Sequence, residues 1–161
     1  MFKTIYLFAT LLVLSGTTAI AQTNIDLGGI AVDTTAAIEV TADSLAVDQD
    51  TGSAVFTGNV LIVQGDLRLS AGSVEVIYTA ETNQIAQLIA EDGVTFVTAD
   101  EAAEAKSARY DITTGLLTLS GDVLLTQGAS AISAETMIIN VSEGTAMMDG
   151  RVRTVLQQGN N

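Results

Sequence analysis

Ala42-Asp43-Ser44-Leu45-Ala46-Val47-Asp48-Gln49-Asp50-Thr51-Gly52-Ser53-Ala54-Val55-Phe56-Thr57-Gly58-Asn59-Val60-Leu61-Ile62-Val63-Gln64-Gly65 returns in altered form 63 positions later, from Ala105 to Gly128. The second copy keeps Asp111 for Asp48, Thr114-Gly115 for Thr51-Gly52, Gly121-Asp122-Val123-Leu124 for Gly58-Asn59-Val60-Leu61, and Gln127-Gly128 for Gln64-Gly65. Matches at fixed offsets through two turns mark an internal repeat, so the chain is assembled from copied supersecondary units. Fainter echoes at Gly93-Val94 and Gly150-Arg151-Val152 divide each half into a pair of strand units.

The repeat also separates the buried face from the exposed one. Phe56, Val60 and Ile62 share a parity, and their counterparts Leu119, Val123 and Leu125 are all apolar. The other parity sets Val55, Thr57, Asn59, Leu61 and Val63 against Thr118, Ser120, Asp122, Leu124 and Thr126, where polar residues collect. Side chains alternate faces along a strand, so the first set points inward. Val74, Val76 and Tyr78, matched by Met137, Ile139 and Val141, extend the same inward face. Burying each such side chain is worth roughly 1.5–3 kcal/mol, enough to hold the register. Gly52 and Gly115 end Asp-x-x-Thr-Gly turns that call for positive φ, whereas Gly58 and Gly121 fall inside strands and mark bulges that curve the sheet.

Outward from the repeat, residues 38–156 are short runs of Val, Ile, Leu, Thr, Phe and Tyr punctuated by Asp, Asn and Gly. About a dozen strands fit, and the fold class is all-β, built from repeated antiparallel units. Ala99–Ala108 stays open between helix and strand: it resists the surrounding strand pattern, and its Ala and Glu content, with Lys106 in the last turn, favours a helix by a few tenths of a kcal/mol per residue. Residues 22–37 lack periodicity and read as a flexible leader with a short strand near Ile30, and 157–161 as a disordered tail. Residues 1–21 read as a cleaved signal peptide, with Lys3 as the basic start, Ile5–Leu14 as the apolar run and Ala19-Ile20-Ala21 as the cleavage site. Ten apolar residues are too few for a membrane-spanning helix, which needs roughly twenty. With no cysteine after that site, a lipoprotein anchor is not expected either, and the mature chain is expected to be exported and soluble.

Composition narrows the chemistry. The chain has no His, Cys, Pro or Trp, and its formal net charge is -13. Without imidazole or thiol there is no ordinary general base, no thiolate nucleophile and no common zinc ligand set, so no catalytic or metal-ligating residue is assigned and no cofactor is expected. The acidity disfavours nucleic acid as a partner. Asp48-Gln49-Asp50-Thr51-Gly52 resembles the start of a calcium loop, but its glycine comes one place early and Asp111-Ile112-Thr113-Thr114-Gly115 lacks the middle acid. Five basic residues follow the leader: Arg68, Lys106, Arg109, Arg151 and Arg153. Arg151 and Arg153 flank Val152 on one face of an expected terminal strand, where cations blunt an edge or meet a partner's acids.

Ile38-Glu39-Val40-Thr41-Ala42-Asp43, Phe56-Thr57-Gly58-Asn59-Val60, Val63-Gln64-Gly65-Asp66, Tyr110-Asp111 and Leu119-Ser120-Gly121-Asp122-Val123 with Gln127 resemble the LptA/OstA-like family of periplasmic lipopolysaccharide transport proteins. The resemblance implies an open, twisted β-jellyroll in the periplasm whose apolar interior shields lipopolysaccharide acyl chains. It further implies head-to-tail self-association by strand addition, between an LptC-like inner-membrane partner and an LptD-like outer-membrane translocon. Acyl-groove positions of the family fall on Ile38, Val40, Phe96, Tyr110 and Ile112, and the inward repeat residues Phe56, Val60, Ile62, Leu119 and Val123 extend the groove. The joining edges are expected near Ile38–Thr41 and Arg151–Leu156, with Glu39, Arg151 and Arg153 as the partner-facing charges. Two alternatives stand beside this reading: a β-repeat scaffold or adhesin-like subunit with a filled core, and a carboxylate-driven glycan hydrolase. The hydrolase needs two inward acids, and the inward parities hold none.

Overall fold

The computed structural model describes residues 24–26, 33 and 35–155. The signal segment, the strand expected near Ile30 and the 157–161 tail lie outside them. Thirteen strands form one folded-over antiparallel sheet among the described residues. In order they are β1 (Asn24–Asp26), β2 (Glu39–Thr41), β3 (Ser44–Asp48), β4 (Ser53–Gln64), β5 (Leu67–Tyr78), β6 (Ile85–Glu91) and β7 (Val94–Val97). The second half supplies β8 (Glu101–Ala105), β9 (Ser107–Asp111), β10 (Leu116–Gln127), β11 (Ser130–Asn140), β12 (Thr145–Asp149) and β13 (Arg153–Val155).

Long and short strands together make two layers. Residues 53–57 of β4 and 73–78 of β5 lie with β3 and β6 in layer I, while 60–64 and 67–70 lie with β2 and β7 in layer II. β9 and β12 continue layer I, and β8 and β13 continue layer II, each on its own part of β10 or β11. The crossing point is a bulge, between Thr57 and Val60 in the first copy and between Ser120 and Val123 in the second, at the same repeat offset.

Glycine makes the bend. Gly58 and Gly121 have φ near +82° and +83°, followed by Asn59 and Asp122, also at positive φ. Gly150 and Arg151 adopt the same pair of conformations, and Asp92 and Gly93 are both at positive φ, so the chain also bends at each glycine-valine echo. A Cβ on Gly121 would lie 2.9 Å from Lys106 Cδ, and one on Gly150 would lie 2.6 Å from Glu135 Cβ. Polar side chains edge this bend line: Asn59 Nδ2 donates to Asp43 at 2.8 Å, Lys106 pairs with Asp122 at 2.6 Å, and Arg151 pairs with Glu135. These ion pairs are exposed and screened, so the backbone conformation, not the charge, carries the bend.

The segment 99–108 forms no helix: it holds β8 and the start of β9, with bends at Ala99, Asp100 and Lys106. Its intrinsic helix preference gives way because β8 is laddered on both sides, to β7 and to β10, and Ala103 is fully buried between them. Arg151 is a correction to the terminal strand: it occupies the bend that begins at Gly150, and β13 begins at Arg153.

The repeated turns carry a pH dependence. Asp48 Oδ1 accepts from the amides of Asp50 at 2.8 Å and Thr51 at 3.2 Å, and Asp111 Oδ1 from the Thr114 amide at 2.9 Å. These amide donors hold both carboxyls below the usual aspartate range. A carboxyl whose folded pKa is depressed stabilises the fold above its unfolded pKa of about 3.9, and that contribution is lost as pH falls through the lower folded value. The double variant Asp48→Asn, Asp111→Asn is therefore expected to be less stable than the native chain above about pH 5 and to converge with it progressively as pH falls through and below the ordinary aspartate range. Urea midpoints measured across that range check it, and a gap that stays constant with pH would contradict the assignment.

Candidate functional site

The inward parities of both copies meet in one core. Val60, Ile62, Phe96, Tyr110, Leu119 and Val123 are buried there, and Ile38, Val40, Phe56 and Ile112 pack against them half-buried. The fold thus brings together the ten residues expected to line a groove. Of these, Ile38, Ile62 and Tyr110 border the central space, together with Leu67, Leu69, Leu88 and Leu117, which were not anticipated. Alternation in Leu67-Arg68-Leu69 signals two of them.

The centre is packed. Its free space amounts to about 20 Å³, room for roughly one water, far below the 300–1,000 Å³ of ordinary ligand pockets. At its rim the Tyr110 hydroxyl donates to Gln64 Oε1 at 3.5 Å, and Gln64 Nε2 donates to the Ala36 carbonyl at 3.2 Å. Burial pushes the Tyr110 phenol up, which keeps it a donor. At the matching repeat position Gln127 Nε2 donates to the buried Glu101 carboxylate at 2.7 Å.

Open apolar space lies instead at the N-terminal end. There layer I runs past the short β2, and Leu45 and Val47 stand 55% and 64% exposed on the inward parity, opposite Phe56 and Ala54. With Tyr78 they line a cleft of about 490 Å³, a volume within the ligand-pocket range. Of the expected groove residues, Phe56 borders both this cleft and the packed core.

Four strands have a pairing partner on one side alone among the described residues: β2 and β3 at one end, β1 and β13 at the other. Every residue of β3 and β13 is exposed, as is Glu39. Asp48, considered above as a calcium ligand, spends Oδ1 on its own turn, and no group of three metal-ligating side chains occurs among the described residues.

A two-layer antiparallel sheet with an apolar interior and open strand edges is a β-jellyroll of the LptA-like type. The chain belongs to the family described as LptA/(LptD N-terminal domain) LPS transport protein, whose model matches residues 39–145. An uncharacterized protein of Rhizobium meliloti (strain 1021) is 30% identical over 144 residues, which is 89% of this chain and 65% of that protein. The chain therefore spans somewhat less than two thirds of that relative's length. Among solved structures, LptH from Pseudomonas aeruginosa, the LptA-homologous periplasmic component of the lipopolysaccharide transport device, shares the fold at a TM-score of 0.70 and 18% identity. The match covers 79% of this chain and 99% of LptH.

Proposed function

We propose that this chain is a periplasmic bridge that receives lipopolysaccharide acyl chains on the inward face of its jellyroll and hands them on through head-to-tail copies. The observation that carries the reading is the N-terminal cleft, whose apolar wall of Leu45, Val47, Phe56 and Tyr78 continues into the core. Burial of acyl chain contributes about 0.8 kcal/mol per CH₂, so affinity needs no cationic clamp, in keeping with a chain of net charge -13. The packed centre accepts a chain when the two layers part at the rim held by Tyr110 and Gln64. Ile38, Val40, Ile62, Phe96 and Ile112 would then contact lipid.

The internal repeat supports the head-to-tail joint. Within the molecule β6 and β7 pair with β9 and β8. β12 and β13 hold on β11 the registers that β6 and β7 hold on β5. Likewise β3 and β2 hold on β4 the registers of β9 and β8 on β10. A second copy's β3 and β2, laid on β12 and β13, would repeat a joint the chain already makes with itself. In that register Arg151 takes the place of Gly93, whose amide donates to Lys106, and so faces the second copy's Asp43. An LptC-like and an LptD-like partner would cap the two ends of such a stack by the same strand addition.

Leu45→Asp with Val47→Asp is expected to reduce binding of a fluorescent fatty-acyl probe by at least about tenfold, because each places a charge on the apolar wall. Both side chains are more than half exposed, so the fold survives. Unchanged binding, or none in the native chain, would remove the cleft from the account. The packed centre favours one other reading, a scaffold that carries nothing, and native protein that binds no probe is its signature.

A further inference from the structure

β1 lies antiparallel on β12, with Asn24 opposite Met147, Ile25 opposite Ala146 and Asp26 opposite Thr145. The joint inside the molecule sets Arg109 opposite Ile89, Tyr110 opposite Leu88 and Asp111 opposite Gln87. Repeat equivalence links the two ladders. Gln87 and Leu88 face Ile77 and Val76 on β5, while Thr145 and Ala146 face Asn140 and Ile139 on β11, the same positions 63 residues on. Asn24-Ile25-Asp26 therefore sits on β12 where Arg109-Tyr110-Asp111 sits on β6. It is also where Ala46-Val47-Asp48 of a second copy would sit in the joint above. In all three triplets an apolar residue is followed by aspartate: Ile25-Asp26, Tyr110-Asp111 and Val47-Asp48.

We propose that β1 is an internal stand-in for the β3 strand of the next copy, occupying the chain's own docking edge until that copy displaces it. The inference rests on the head-to-tail reading and adds its regulation. An open edge that adds strands is a template for uncontrolled growth, and a short self-paired strand blocks it reversibly. The exchange favours assembly once copies meet. Among the described residues β1 covers three residues of β12 and none of β13, whereas an incoming copy brings the five residues of β3 and also β2. The cost is a lower apparent affinity, since only the fraction with β1 released can dock.

The test compares the chain beginning at Gln22 with one beginning at Gly28, which lacks β1, by sedimentation equilibrium over a range of concentrations. Removing β1 is expected to tighten self-association by about fivefold or more, and Val47→Asp is expected to abolish it in both forms. Amide hydrogen exchange should show protection at Thr145–Met147 in the dilute longer chain, its loss in the dilute shorter one, and its return on assembly. Equal or weaker association of the shorter chain overturns the stand-in, as does a gain that survives Val47→Asp. If neither form associates at any concentration, the head-to-tail reading itself fails, and the stand-in with it.

Discussion

Replacing Phe96 with alanine is expected to lower the unfolding free energy by about 3–5 kcal/mol, the range for removing an aromatic ring from a closed core. Phe96 is completely buried on β7, opposite Leu69 of β5 on one side and Ala103 of β8 on the other. On the β8 side the facing residue is Ala103, too small to fill the space left by the ring. Against a typical total of about 5–15 kcal/mol, the loss is a large fraction. Denaturant midpoints measure it. A loss below about 1 kcal/mol would mean that the layers close over the gap, and that the interior is softer than the packed centre implies.

Gly121→Ala is expected to cost about 2–4 kcal/mol, from left-handed backbone strain together with overpacking against Lys106. Its φ is +83°, and the added Cβ would stand 3.0 Å from Lys106 Cβ as well as 2.9 Å from Cδ. Gly52→Ala is the control, with φ +64° and nothing within 4 Å, so it should cost the strain alone, about 1–2 kcal/mol. A larger loss at Gly52 than at Gly121 would contradict a bend that depends on close approach between β10 and the neighbouring chain at Lys106.

Much of this architecture was legible because the chain states it twice. Comparing Gly58-Asn59-Val60 with Gly121-Asp122-Val123 places both bulges, and the shared apolar parity of β4 and β10 points to the core. What escaped lies where comparison between copies is silent. On β5 the buried parity changes from Leu67, Leu69 and Ala71 to Val74 and Val76, and β11 changes in step, so the copies agree while the face turns over. Leu67 and Leu69 are cavity residues for that reason. Helix preference over 99–108 is a local property that two flanking ladders override. Arg151 looked like a strand residue because its bend depends on the φ of Gly150, which the glycine-valine echo hints at without resolving. The packing of the centre depends on the layer separation, a quantity absent from parity, and β1 is too short to show any period.

The central claim is that the inward face takes acyl chains, and photo-crosslinking to lipopolysaccharide tests it most directly. A photoreactive phenylalanine analogue placed at Phe56 and Tyr78 in the cleft, at Tyr110 on the rim and at outward Thr57 samples both faces. Adducts from the cleft and rim positions, with none from Thr57, are the predicted result. Adducts that are absent from every inward position, or equally abundant at Thr57, would contradict it.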